Sequence, residues 1–168
     1  MDKLIAWLRV EPTGFKLWWF FAKILVLMFA VEFLFGALLN IFGVPLRDET
    51  TLLIYLEESP IVFLFLVLPS LALLEEVFFR LPLAIFIAAR GHPMVIFVVA
   101  IMLSAIFGYA HGGWWQIPLQ GVSGFMLCII FLKCGGLQNK YGKALLSSSC
   151  IHLISNWIAF YLMAVWGM

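Results

Sequence analysis

Long apolar runs dominate the chain, and short clusters of glycine, proline and charge separate them where helices would have to end. The first run, about Leu17 to Phe42, is interrupted only by Lys23, Glu32 and Asn40 and stops at Gly43, Pro45, Arg47, Asp48 and Glu49. The second begins after Ser59 with Pro60, a residue suited to the first helical position because its missing N–H would be unpaired there anyway, and continues to about Ala89 before Gly91. The third opens at Pro93 and ends at Gly112 and Gly113, the fourth runs from near Pro118 to Gly135 and Gly136, and the fifth from about Lys143 to Trp166. Proline just inside the starts and glycine just past the ends is the asymmetry helices show. A hydrocarbon core of about 30 Å takes about 20 apolar residues per helix, so the pattern predicts an all-α, polytopic transmembrane bundle of about five spans. Met1 to Val10 add a short interfacial helix, with Leu4, Ile5, Trp7 and Leu8 against lipid.

Composition agrees and narrows the class. Of 168 residues, 65% are hydrophobic and 11% charged, with a mean hydropathy of +1.11; soluble domains carry about 25% charged residues. A soluble enzyme, a disordered chain and a disulfide scaffold are excluded, and a net charge of +1 offers no footprint for nucleic acid. Cys128, Cys134 and Cys150 have no CxxC spacing and read as packing thiols within the membrane. The expected organisation is one membrane domain over 1–168, without room for a soluble one.

Topology follows from lysine and arginine near the helix ends. Lys3, Arg9 and Lys16 precede the first span, Arg90 follows the second, and Lys133, Lys140 and Lys143 follow the fourth, whereas the other side has Arg47. The N-terminus is therefore expected on the cytoplasmic side of a multi-pass protein, in a prokaryotic plasma membrane. The first run is too long for a signal-peptide core and is expected to stay.

Against this background the ionisable residues inside the runs are conspicuous, because each costs several kcal/mol at bilayer depth unless it faces the protein interior. Glu75, Glu76 and Arg80 lie in LLEEVFFR on the second helix, His111 ends FGYAH on the third, and His152 and Asn156 lie in HLISN on the fifth. Glu76 and Arg80 are four residues apart on one face, the better order for an ion pair, while Glu75 is rotated about 100° away and is left without an obligatory partner. His152 and Asn156, also four apart, point together. A carboxylate in a water-poor site is disfavoured in its charged form, which suits Glu75 as a base near neutral pH. His111 could share the water's proton, and His152 and Asn156 could donate to the oxyanion of a tetrahedral intermediate. The constellation reads as water-driven acyl hydrolysis, for which the natural substrate within a membrane is a peptide bond.

At these residues the chain resembles the CPBP intramembrane proteases, which include the eukaryotic CAAX prenyl endopeptidases, the Abi proteins and bacteriocin-processing or self-immunity proteins. EEVFFR fits their EExxxR motif, FGYAH their FxxxH and HLISN their HxxxN, in that order and each on its own helix, over about Leu71 to Trp157. The resemblance implies water activation by Glu75 and His111, oxyanion stabilisation by His152 and Asn156, and a structural pair of Glu76 and Arg80. It also implies a CAAX-protease-like four-helix catalytic core over 59–168, preceded by an N-terminal segment and first span over 1–58. The expected partners are the lipid bilayer and a peptide or protein substrate with a membrane-embedded or C-terminally processed segment.

Several other readings stay open on the sequence. His111 and His152 with Glu75 or Glu76 could make a zinc set, although they share no HExxH helix and the expected cofactor is none. Ser123 in GVSG could be a nucleophile with His152 as its base, against a role for Gly121 and Gly124 in close helix packing. A noncatalytic immunity or binding protein could keep the same polar cluster, and a small carrier is disfavoured by the lack of an internal repeat. Glu32, on the opposite face from Lys23, has to find a partner on another helix or stay protonated, either as a structural group or beside the active cavity. His111 also sits near the outer end of its helix, roughly 13 Å from the midplane where Glu75 lies. Tilt, a kink or shifted helix boundaries have to close that gap, and Pro69 is the candidate kink.

Overall fold

The computed structural model describes residues 2–44 and 59–166. Among these the apolar runs form α2 (Phe15–Ile41), α3 (Pro60–Ala88), α4 (Pro93–Ala110), α5 (Val122–Lys133) and α6 (Tyr141–Trp166), with a short α1 (Asp2–Arg9) before them and no strand. Five segments are long and apolar enough to cross a membrane: α2, α3, α4, α6 and the stretch Trp114–Gln138 that contains α5. Arg47, Asp48 and Glu49 of the first connection lie outside the described residues.

The α5 segment is the centre of the bundle. From Leu127 to Gly136 every residue is buried, as expected of a helix that is apolar all round and enclosed by others. One cluster joins Leu83 and Ile87 of α3, Ile96 and Ala100 of α4, and Leu132 of α5; a second joins Phe21, Ile24 and Met28 of α2 to Leu127 and Ile130 of α5 and Ile151 of α6. On the outer side, Phe15, Trp18, Val26, Phe33 and Ile41 of α2 are exposed. Apolar surface of that extent is what lipid covers.

Two prolines open the α-helical ladder into π-helical turns. Pro69 has no N–H to donate, and the turn before it, Phe63–Val67, closes with a bond from Leu68 N–H to Phe63 O. Leu64 O thus loses both candidate backbone donors, since Leu68 is committed and the residue five positions on is Pro69. Trp157 Nε1–H of α6 takes its place at 3.0 Å. A proline defect in α3 becomes a tie to α6 one residue past Asn156. Trp157→Phe keeps most of the apolar contact but leaves Leu64 O unpaired, so it is expected to cost about 1–3 kcal/mol, read as a lowered thermal transition of the purified protein. The second π turn, Ile117–Gly121, contains Pro118 and follows a 3₁₀ turn at Trp114–Gln116. The fourth span therefore begins earlier than its proline, because Gly113 at φ +89° turns the chain sharply after α4.

The terminal helix forms where expected but not with the full lipid face expected of it. Leu4 and Trp7 are exposed, whereas Leu8 is buried in the cluster of α3, α4 and α5. The cause is Lys133 at the end of α5, whose Nζ donates to Trp7 O at 2.6 Å and Val10 O at 3.0 Å and sits 3.8 Å from the Trp7 ring centroid. Gln138 Nε2 donates to Arg9 O at 2.6 Å. These donors satisfy carbonyls that a helix end leaves free, and so draw the helix onto the bundle. Beyond it, Glu11 accepts from Lys140 at 2.6 Å and from Lys143 at 2.5 Å. Those ammonium groups, Lys140 foremost, hold its carboxyl below the ordinary range. Both lysines are exposed, so each pair adds only about 0.2–1 kcal/mol.

Candidate active site

The site is built on a buried ion pair. Arg80 and Glu76 are 1% and 0% exposed, and they meet in the two-pronged geometry that guanidinium and carboxylate allow: Nε donates to Oε2 and Nη2 to Oε1, both at 2.9 Å. Arg80 reaches further, donating from Nη2 to Gly124 O at 3.2 Å and from Nη1 to Cys128 Sγ at 3.0 Å. Cys128 is thus more than packing. It lies one turn beyond Gly124 on the same face of α5, which is the only hint of this role in the sequence. Glu75, rotated to the next face, is left out of the pair as its position predicts, and its side chain is 34% exposed.

Three helices bring Glu75, His111 and His152 together. Glu75 Oε2 lies 3.8 Å from His111 Nε2 and 3.5 Å from His152 Nε2, while His152 Nδ1 faces Glu76 Oε1 at 3.3 Å without the alignment of a hydrogen bond. The predicted depth gap does not arise. The 29-residue α3 runs beside the 18-residue α4, so the two helices are not centred on a common midplane. Counted from their shared turn, Glu75 is 13 residues from Ala88 (88 − 75) and His111 is 18 from Pro93 (111 − 93), an offset of about 7–8 Å, and the two side chains meet at 3.8 Å.

Local backbone chemistry orients the His111 ring. Its N–H bonds to Gly108 O at 3.1 Å, in a tightened last turn, which leaves Phe107 O without its α-helical donor. The His111 Nδ1 fills that position at 2.7 Å. A carbonyl only accepts, so Nδ1 carries the proton, and in the neutral ring Nε2 presents a lone pair toward Glu75. The Phe107 ring lies 4.2 Å from His111, 5.8 Å from His152 and 5.1 Å from Phe79, centroid to centroid. Phe107 is seated on Gly124, where a Cβ would come within 2.8 Å of it; the GVSG glycines thus serve close packing.

Asn156 lies one turn beyond His152 on α6 and lines a small cavity with His152, Glu32, Gln120 and Ser123. Among the described residues it makes no hydrogen bond to Glu75 or to either histidine. Ser123 does not face a base in His152; its hydroxyl donates to Glu32 Oε1, and both His152 nitrogens face carboxylates of α3. No group of three or more His, Cys, Asp or Glu among the described residues is arranged to hold a metal ion. A larger cleft of about 520 Å³ between α1 and the α3–α4 turn contains none of the motif residues.

No curated protein and no solved structure matches the chain. The sequence model of the type II CAAX prenyl endopeptidase Rce1-like family matches residues 57–158. That stretch is more than half of the chain and holds Glu75, Glu76, Arg80, His111, His152 and Asn156, and the five apolar helices supply the membrane setting such an enzyme requires. The protein therefore belongs to the type II CAAX prenyl endopeptidase Rce1-like family and is an integral, multi-pass membrane protease.

Proposed function

We propose that the protein cleaves a peptide bond with a water activated by Glu75 and His111, without a metal, near the membrane-embedded or C-terminal end of its substrate. The observation that carries this reading is the convergence of Glu75 Oε2 with the Nε2 atoms of His111 and His152 at 3.5–3.8 Å from three separate helices. Two acceptors 3.8 Å apart, the Glu75 carboxylate and the His111 lone pair, can each take one O–H of a single water at about 2.8 Å. The water's own lone pair is then free to attack a carbonyl carbon. As the C–O bond forms, Glu75 takes one proton. The carbonyl oxygen becomes an oxyanion, stabilised by an N–H of His152 and by the Asn156 amide. Collapse of that intermediate breaks the C–N bond, and the proton passes from Glu75 to the departing amine. Glu76, held by Arg80, fixes the His152 ring.

Residues 59–168 are read as the catalytic core and 1–58 as the segment that precedes it. The N-terminus is assigned to the cytoplasmic side, in a prokaryotic plasma membrane. The test is cleavage of membrane-anchored reporters by the purified protein in vesicles, followed by mass. A prenylated reporter with a C-terminal CAAX tail is the first to try, and a leader peptide and a C-terminal sorting helix follow. Wild type is expected to release a shortened product at a rate unchanged by 1,10-phenanthroline. Silencing by the chelator with recovery on added zinc would replace the water–carboxylate reading by a zinc one, and complex formation without a mass change would point to a noncatalytic binder.

A further inference from the structure

Glu32 is a carboxyl group in the middle of a membrane helix that the chemistry above does not use, and it lies outside the residues the family matches. Among the described residues it has no cationic partner; Lys23 is set over the Trp19 ring instead. Its Oε1 accepts from Ser123, which leaves Oε2 for another donor. Around it lies the cavity of about 40 Å³ that it shares with Gln120, Ser123, His152 and Asn156. An apolar cavity stays dry, but a polar one holds a water given about one probe sphere of room, 10–15 Å³, and two to four polar partners. This one has the room and, with Ser155, six polar side chains.

The location gives the cavity a purpose. Each turnover consumes one water, and the Glu75 carboxylate is set among helices whose outer faces are apolar, so water cannot be drawn freely from the surroundings. His152 borders both, lining the cavity while its Nε2 lies 3.5 Å from Glu75 Oε2. We infer that this cavity is a water-binding chamber that supplies the hydrolytic water, with Glu32 as its positioning residue: Ser123 fixes one carboxylate oxygen, and the other holds water against the amides of Gln120 and Asn156. The supply role rests on the reading of Glu75 and His111 as the water-activating pair; the occupancy of the chamber does not.

Radiolytic hydroxyl labelling of the full-length protein in vesicles tests occupancy without a substrate. Met28 and Phe107 line the chamber and are only 2% and 1% exposed, so radicals from bulk water do not reach them. Rapid oxidation of Met28 is expected in wild type and in Glu32→Gln, whose amide still binds water. It should be suppressed in Glu32→Leu and in Ala159→Leu, which fills the chamber without removing a polar group. With a reporter that wild type cleaves, both leucine variants are expected to lose roughly ten- to hundredfold in kcat with KM unchanged, and Glu32→Gln to retain most of it. A merely structural Glu32 would not give that split. Equal Met28 labelling in wild type and Ala159→Leu overturns the chamber, and an unchanged kcat in Ala159→Leu overturns its supply role. Activity surviving in Glu75→Gln beside water-dependent labelling would instead locate the failure in the assignment of the base.

Discussion

Glu75→Gln is expected to lower cleavage by roughly 10²–10⁴-fold, the contribution typical of a positioned general base, while the protein keeps its fold. The two halves of that expectation have different origins. Glutamine matches glutamate in size and keeps an acceptor oxygen, but it cannot take the proton of the attacking water. Stability should change little, because Glu75 stands outside the buried pair and Arg80 is engaged by Glu76 instead. The measurement pairs the initial rate on a cleaved reporter with a thermal transition by intrinsic fluorescence. His111→Ala removes the second acceptor and should lose activity comparably, but it also leaves Phe107 O unpaired and so should lower the transition slightly. Retained activity in Glu75→Gln with an intact fold would sink the mechanism.

Angular relations within one helix are legible in the sequence, because a fixed rise and twist convert spacing into direction. That is why Glu76 with Arg80, the exclusion of Glu75 from that pair, and the common face of His152 and Asn156 follow from the sequence. Relations between helices were not legible in the same way. Nothing in a periodicity sets the level of the 29-residue α3 against the 18-residue α4, and a depth gap at His111 follows only for helices centred on a common midplane. Nor does spacing tell which helix lies behind which, so Glu32 could be marked as costly while its partner, Ser123, lies 91 residues away. An amphipathic octet looks the same against lipid or protein, so sequence alone sets Leu8 in lipid; Lys133, by its position a topological charge, decides the matter by capping α1. The prolines were read as helix starts and a kink, yet the consequence of Pro69 is a carbonyl that Trp157 has to satisfy.

Arg80→Met should destabilise the protein by about 3–5 kcal/mol, the cost of leaving a buried charge without its partner. That is a large part of the 5–15 kcal/mol that holds a typical domain together. Its side chain makes four hydrogen bonds, to both oxygens of Glu76, to Gly124 O and to Cys128 Sγ, and it is 1% exposed. Methionine fills much of the volume and supplies none of the donors. A low yield and a depressed thermal transition are expected, and a loss of activity in that single variant would not separate folding from chemistry. The double variant Glu76→Met/Arg80→Met does separate them. Removing both charges together abolishes the penalty, and replacing a buried ion pair by apolar groups of similar volume is often neutral or stabilising. The thermal transition should therefore recover much of its height. Cleavage should not, because His152 Nδ1 faces Glu76 Oε1 at 3.3 Å, and without that carboxylate nothing holds the Nδ1 side of the ring whose other nitrogen meets the oxyanion. Recovery of stability without recovery of kcat would identify the pair as the support of His152. Full activity in the double variant would reduce it to a helix-stabilising contact, and an Arg80→Met protein as stable as wild type would contradict the buried pairing itself.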